Sequence, residues 1–129
     1  MNWIKRGIFM SKINIKSELK NCTESTIHKI NTTGDFSDNK IIYKDENTLV
    51  TIFINDNKIE IERDNSDYKL NMIFDSNKSY YTINLKENDL KFDLDIELKN
   101  LYIYMNKVEI TYKSDCEYLF TLEYNLKEW

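Results

Sequence analysis

The sequence predicts an all-β fold, a single antiparallel up-and-down β-barrel of about nine to ten strands. Apolar and polar residues alternate from Ser11 to Leu126, as in Ile13-Asn14-Ile15-Lys16-Ser17-Glu18-Leu19 and Tyr118-Leu119-Phe120-Thr121-Leu122-Glu123-Tyr124. A side-chain period of two gives each strand one dry face and one wet face. Short clusters of Asn, Asp, Ser and Glu break the alternation at regular intervals, and no segment carries a convincing helical period. A meander this long removes its edges most simply by closing on itself, with a sandwich as the main competitor.

The first strand is expected over about Lys12 to Asn21, with Ile13, Ile15, Ser17 and Leu19 on the dry face. The second covers about Ser25 to Phe36 and contains Gly34, where an interior strand glycine suggests a bulge or a sharp bend. After Ser37-Asp38-Asn39 comes a short strand, Lys40 to Lys44, with Ile41 and Tyr43 on one face. Asp45-Glu46-Asn47 leads to the fourth strand, Thr48 to Asn55, whose Val50, Ile52 and Ile54 face inward. Asn55-Asp56-Asn57 reads as a tight turn, because Asn and Asp tolerate positive φ.

The fifth strand, Lys58 to Asp64, places Lys58, Glu60, Glu62 and Asp64 outside and therefore Ile59, Ile61 and Arg63 inside. Tyr68, Leu70, Met72 and Phe74 form the dry stripe of the sixth strand, and Tyr81, Ile83 and Leu85 that of the seventh. In the run from Leu90 to Met105, Leu90, Phe92, Leu94, Ile96 and Leu98 hold one phase, whereas Leu101, Ile103 and Met105 take the other. A phase change near Lys99-Asn100 implies a bulge or corner. Lys107 to Lys113 and Glu117 to Leu126 complete the set.

At 129 residues the chain is long enough for one domain with a real core, expected over 11–129, preceded by an arm, 1–10. That arm, Met1-Asn2-Trp3-Ile4-Lys5-Arg6-Gly7-Ile8-Phe9-Met10, is basic and apolar but too short for a membrane span or signal peptide. Met10 directly precedes the first alternating run, so the first nine residues read as a flexible arm or a mis-assigned start. A net charge of −4 argues against nucleic acid or an anionic membrane as partner, since both call for a basic face. Cys22 and Cys116 fit no metal-binding spacing and read as reduced thiols of a cytoplasmic protein. The absence of Ala, Gln and Pro suggests an AT-rich genome, a bias against which Arg63 and Gly34 stand out.

Arg63 is the one charge on a dry face, and a guanidinium there needs a partner. It serves either as an anchor for an anion inside the barrel or as a rim residue paired with a neighbouring acid or carbonyl. Ser17, Tyr43, Tyr81 and Tyr112 are the other polar groups that phase inward. Together with Arg63 they compose a tentative ligand-binding set, although tyrosines in such places commonly fill core with the hydroxyl at the edge. His28, the only histidine, lacks the companions of a metal site or catalytic triad and reads as a surface strand residue. Two glycines cannot build a phosphate-cradling loop. No catalytic residue, metal site or cofactor is indicated.

The order and spacing of several segments resemble the YwiB-like family, small uncharacterised bacterial proteins. The segments are Ile15-Lys16-Ser17, Thr32-Thr33-Gly34, Ile41-Ile42-Tyr43-Lys44-Asp45-Glu46, Ile59-Glu60-Ile61-Glu62-Arg63, Leu70-Asn71-Met72-Ile73-Phe74 and Val108-Glu109-Ile110-Thr111-Tyr112. The resemblance covers about Lys12 to Tyr124 and implies a calycin-type, lipocalin-like barrel with no established activity. The family has glycine after the arginine and before the strand matching Leu90 to Ile96, where this chain has Asp64-Asn65 and Asn88-Asp89. By analogy with such barrels, the expected function is non-enzymatic binding of a small, partly apolar ligand, with Arg63 holding any anionic end. The alternative is an interaction or homodimerising module with a filled barrel, using an exposed edge strand or the face of Tyr102 and Tyr104. Catalysis ranks third, and a cavity holding His28 beside Arg63 would reopen it.

Overall fold

The computed structural model describes residues 11–127, so the expected arm at 1–10 lies outside them. The strands are β1 (Ser11–Asn21), β2 (Thr26–Ser37), β3 (Lys40–Asp45), β4 (Thr48–Ile54), β5 (Lys58–Asp64), β6 (Tyr68–Asp75), β7 (Ser79–Leu85), β8 (Leu90–Tyr104), β9 (Lys107–Lys113) and β10 (Glu117–Leu126). Each pairs antiparallel with its neighbours in the chain, and β1 pairs with β10 to close a ten-stranded barrel. The alternation therefore sorts residues by side of one continuous sheet, as predicted.

Branched residues occupy the inner face at the barrel's waist. Ile13, Ile15, Ile41, Ile52, Ile59, Phe74, Ile110 and Leu122 are buried there. Isoleucine suits a pleated, packed surface because its χ1 is already restricted. Each such side chain contributes about 1.5–3 kcal/mol on burial, so this belt supplies much of the drive to close.

Gly34 makes no bulge: it keeps regular register opposite Ile13. Its role is close approach instead. A Cβ there would lie 2.5 Å from the Ile42 carbonyl oxygen and 2.7 Å from Ile15 Cδ1, so only glycine lets β2 cross onto β3. The bulge foreseen in the eighth strand is present, between Leu98 and Asn100. Met105 departs from expectation, because it ends that strand as an exposed turn residue with φ of 51° rather than facing inward. Nor does the turn at 55–57 use positive φ; Ser25, Asp38, Asn39, Glu46 and Asp89 are the other left-handed residues among those described. Asp89 thus adopts, in the turn before β8, the conformation usually reserved for glycine.

The turns at 22–25, 46–47, 65–67, 86–89 and 114–116 share one end of the barrel, which we call the mouth. Its rim is stepped. Between β2 and β3 only Asp35, Phe36 and Ser37 are paired across, and β8 begins to pair with β9 only at Glu97. Among the described residues, Thr26–Thr33 of β2 and Leu90–Ile96 of β8 therefore have a strand on one side only.

Candidate functional site

The β4–β8 sheet carries its inner residues in rows that run across the strands. One row reads Val50, Arg63, Leu70, Ile83 and Phe92; the next, deeper, reads Ile52, Ile61, Met72, Tyr81 and Leu94. Opposite them stand Ser17 and Leu19 of β1, His28 and Ile30 of β2, and Phe120 of β10. Between these walls lies a cavity of about 70 Å³. Its lining includes Ser17, Tyr43, Arg63 and Tyr112 as polar members, with Val50, Ile61, Met72 and Phe74 supplying apolar surface.

Four of the five residues singled out from sequence thus meet at one cavity. Tyr81 does not line it; it stands one strand further along the row from Met72. Tyr81 instead joins a rim group. Tyr112 stacks on Tyr118 with ring centroids 5.1 Å apart, and the Tyr118 hydroxyl donates to Asp115 at 3.1 Å. Burial, the Asp115 carboxylate and its hydrogen bond push Tyr118 up to about 12. Burial, then the charge of Asp115, also raises Tyr81. For Tyr112, burial leads, followed by Tyr118 and Asp115, and its phenol stays protonated throughout the physiological range.

Arg63 is paired. Its Nη2 donates to Asp45 Oδ2 at 3.0 Å, and His28 Nε2 lies 3.3 Å from the same oxygen. Asp45 is a single carboxylate gathering a cation from β5 and an imidazole from β2, across the stretch where β2 and β3 are not backbone-paired. Burial disfavours its charge, but the hydrogen bonds from Arg63 and His28 outweigh that and hold its carboxyl below the usual range. Burial likewise opposes the Arg63 charge, and the hydrogen bond to Asp45, with Tyr68 acting in the same sense, more than offsets it. Tyr43, in the same row as Val50 and Arg63, is raised by burial first, while Arg63 and the Ser17 hydroxyl act in the opposite sense.

Two members of this cluster are not visible as a site in the sequence. His28 is indeed exposed, at 58% of its side chain, yet it also lines the cavity. Asp45 reads as a turn residue, and nothing local announces that it faces Arg63, eighteen residues away. The condition that would reopen catalysis is met, since His28 and Arg63 border one cavity. No hydroxyl or thiol is hydrogen-bonded to the imidazole among the described residues, however, and its partner there is Asp45.

The chain is similar in three dimensions to the ywiB protein from Bacillus subtilis. The TM-score is 0.73 over 92% of this chain and 94% of that one, at 15% sequence identity. The two proteins share one fold. At that identity the likeness speaks for architecture alone. No family model and no curated protein sequence matches the chain.

The size of the cavity sets what it can hold. Dry apolar cavities that admit benzene measure about 150 Å³, and drug-sized sites run from about 300 Å³. A space of about 70 Å³ is roughly half of the benzene-admitting volume, so a larger ligand must leave most of itself at the mouth. With Asp45 beside it, Arg63 offers hydrogen-bond donors in a nearly neutral setting rather than a bare positive charge.

Proposed function

We propose that this protein is a non-enzymatic, cytoplasmic binding barrel of the YwiB-like, calycin type. Its ligand is small and partly apolar, with its apolar tip in the cavity and its polar head at the rim. The shared fold and the order of the quoted segments support the family assignment. One observation carries the binding reading: a small apolar cavity bordered at the mouth by Arg63, His28 and the buried pair Ser17 and Tyr43. Mixed lining of this kind orients a ligand by its polar end while apolar contact supplies affinity. Arg63 keeps donors beyond the one given to Asp45, and a carboxylate or carbonyl head is the group they suit.

Titration of the methyl-labelled protein with hexanoate and with hexanol tests the reading by NMR. Both compounds are expected to shift the Met72 and Ile61 methyl signals, with hexanoate the tighter of the two. Arg63→Met should remove that preference and leave hexanol binding intact. If neither compound moves those signals at millimolar concentration, the cavity is a packing imperfection and the proposal fails.

A further inference from the structure

We propose that β8 is a homodimerisation edge, on which two copies of the chain pair antiparallel about a two-fold axis at Phe92. This does not rest on the cavity having a ligand. Among the described residues, Leu90–Ile96 lacks a strand on the side away from β7, so its outward-directed N–H and C=O groups stand ready for another chain. The same segment exposes three large apolar side chains of inner-face phase: Leu90 at 46%, Phe92 at 47% and Leu94 at 48%. An unpaired edge and an apolar stripe coincide here, a combination natural proteins usually blunt.

The sequence of the edge selects its occupant. Leu90-Lys91-Phe92-Asp93-Leu94 is self-complementary when read against itself in reverse about Phe92. Phe92 then faces the partner's Phe92, Leu90 faces the partner's Leu94, and Lys91 faces the partner's Asp93. Each pairing occurs twice by symmetry except the central one, as an isologous contact requires. Apolar residues meet on one side of the joined sheet, and opposite charges meet on the other. Asp95 lies diagonal to the partner's Lys91 but comes opposite the partner's turn residue Asp89, so the favourable pairing runs from Leu90 to Leu94 and ends there. An axis at Asp93 would pair Lys91 with the partner's Asp95 but set the two Asp93 carboxylates against each other at the centre. One at Lys91 would oppose the two lysines. The charge reversals tell these registers apart, since D93K leaves the Lys91–Asp95 pairs of an Asp93-centred dimer in place. An axis at Leu94 would oppose Asp93 to Asp95.

The other free edge shows what is missing without this pattern. Thr26–Thr33 of β2 carries Lys29 and His28 and no acid, so two copies cannot neutralise each other there. Lys91 and Asp93 are both exposed, so their substitution spares the core. Asp93 also accepts from the Thr82 hydroxyl at 2.7 Å, an intrachain bond that fixes one of its oxygens and leaves the other for Lys91 of the partner.

Sedimentation equilibrium on the full chain, from micromolar to millimolar, is the test. The wild type should move from the 15.6 kDa monomer toward twice that mass. Lys91→Asp and Asp93→Lys should each weaken the dimer about tenfold or more, since each converts two attractive cross-strand pairs into repulsive ones. The double exchange K91D/D93K should restore it, a result that no other register gives. Circular dichroism melts keep folding separate, and K91D leaves the Thr82 bond untouched if D93K proves unstable. A chain that stays monomeric throughout, a dimer indifferent to both reversals, or an open-ended series of larger species from β2–β8 pairing would each overturn the proposal.

Discussion

Two ends of one row of side chains fare differently. Val50 on β4 and Phe92 on β8 lie in the same register row, share the same alternation and point to the same side of the sheet, yet Val50 is 1% exposed and Phe92 47%. At the Val50 end the opposite wall of the barrel is close, and Asp45 ties β2 to β5 across the seam. At the Phe92 end β8 extends beyond the end of β9 at Lys113, so Leu90–Ile96 have no β9 strand beside them. Facing inward and being covered are separate properties, and alternation determines only the first. Coverage depends on how far neighbouring strands are staggered.

The difference predicts unequal consequences for removing the same kind of group. Phe74→Ala at the fully covered waist should lower unfolding free energy by about 3–5 kcal/mol in chemical denaturation. A loss below 1 kcal/mol would mean that the waist is not the packed belt described. Asp45→Ala should cost about 1–3 kcal/mol, because it leaves the half-buried Arg63 guanidinium without its carboxylate. Recovery by Arg63→Met in that background would show that the loss is the stranded charge rather than the missing contact.

Acid should act on the same tie. Asp45 has a carboxyl pKa lowered by folding, so its stabilisation is present above the unfolded value and is lost as pH falls through the folded one. Arg63 stays charged across that range. Stability should therefore decline below about pH 4, and Asp45→Asn should flatten that part of the profile in pH-dependent urea melts. An unchanged slope would remove Asp45 from the account of the seam. The smallest effect belongs to the uncovered end: Phe92→Ser, in dilute solution, should alter stability by no more than about 0.5 kcal/mol. A large loss there would show that the stripe is covered.

This contrast also marks how far the sequence could be read. Strand boundaries, the inward phase of Arg63 and the bulge after Leu98 follow from periodicity, which is local. The ion pair to Asp45 was available only as one reading of Arg63, since nothing in the sequence identifies which acid the stepped rim brings within reach. His28 illustrates the same limit: its exposure was legible, but its place at the cavity depends on β2 running past the end of β3. Gly34 stands out by its rarity and suggests a bulge or a sharp bend. No bulge is present, and the need for glycine comes from a backbone oxygen 2.5 Å from where a Cβ would sit, which no local pattern records. The sequence places Leu90, Phe92 and Leu94 in one phase, and phase alone carries no record of what stands opposite.

Xenon pressurisation of the methyl-labelled protein, followed by carbon-detected NMR, tests the binding reading most directly, since xenon enters dry apolar cavities without needing a polar partner. The Val50, Ile61 and Met72 methyls, which border the cavity, should shift with pressure, while Ile52 and Ile59 at the waist should not. Shifts confined to the waist, or no specific shift anywhere, would contradict a ligand-accessible cavity at the mouth.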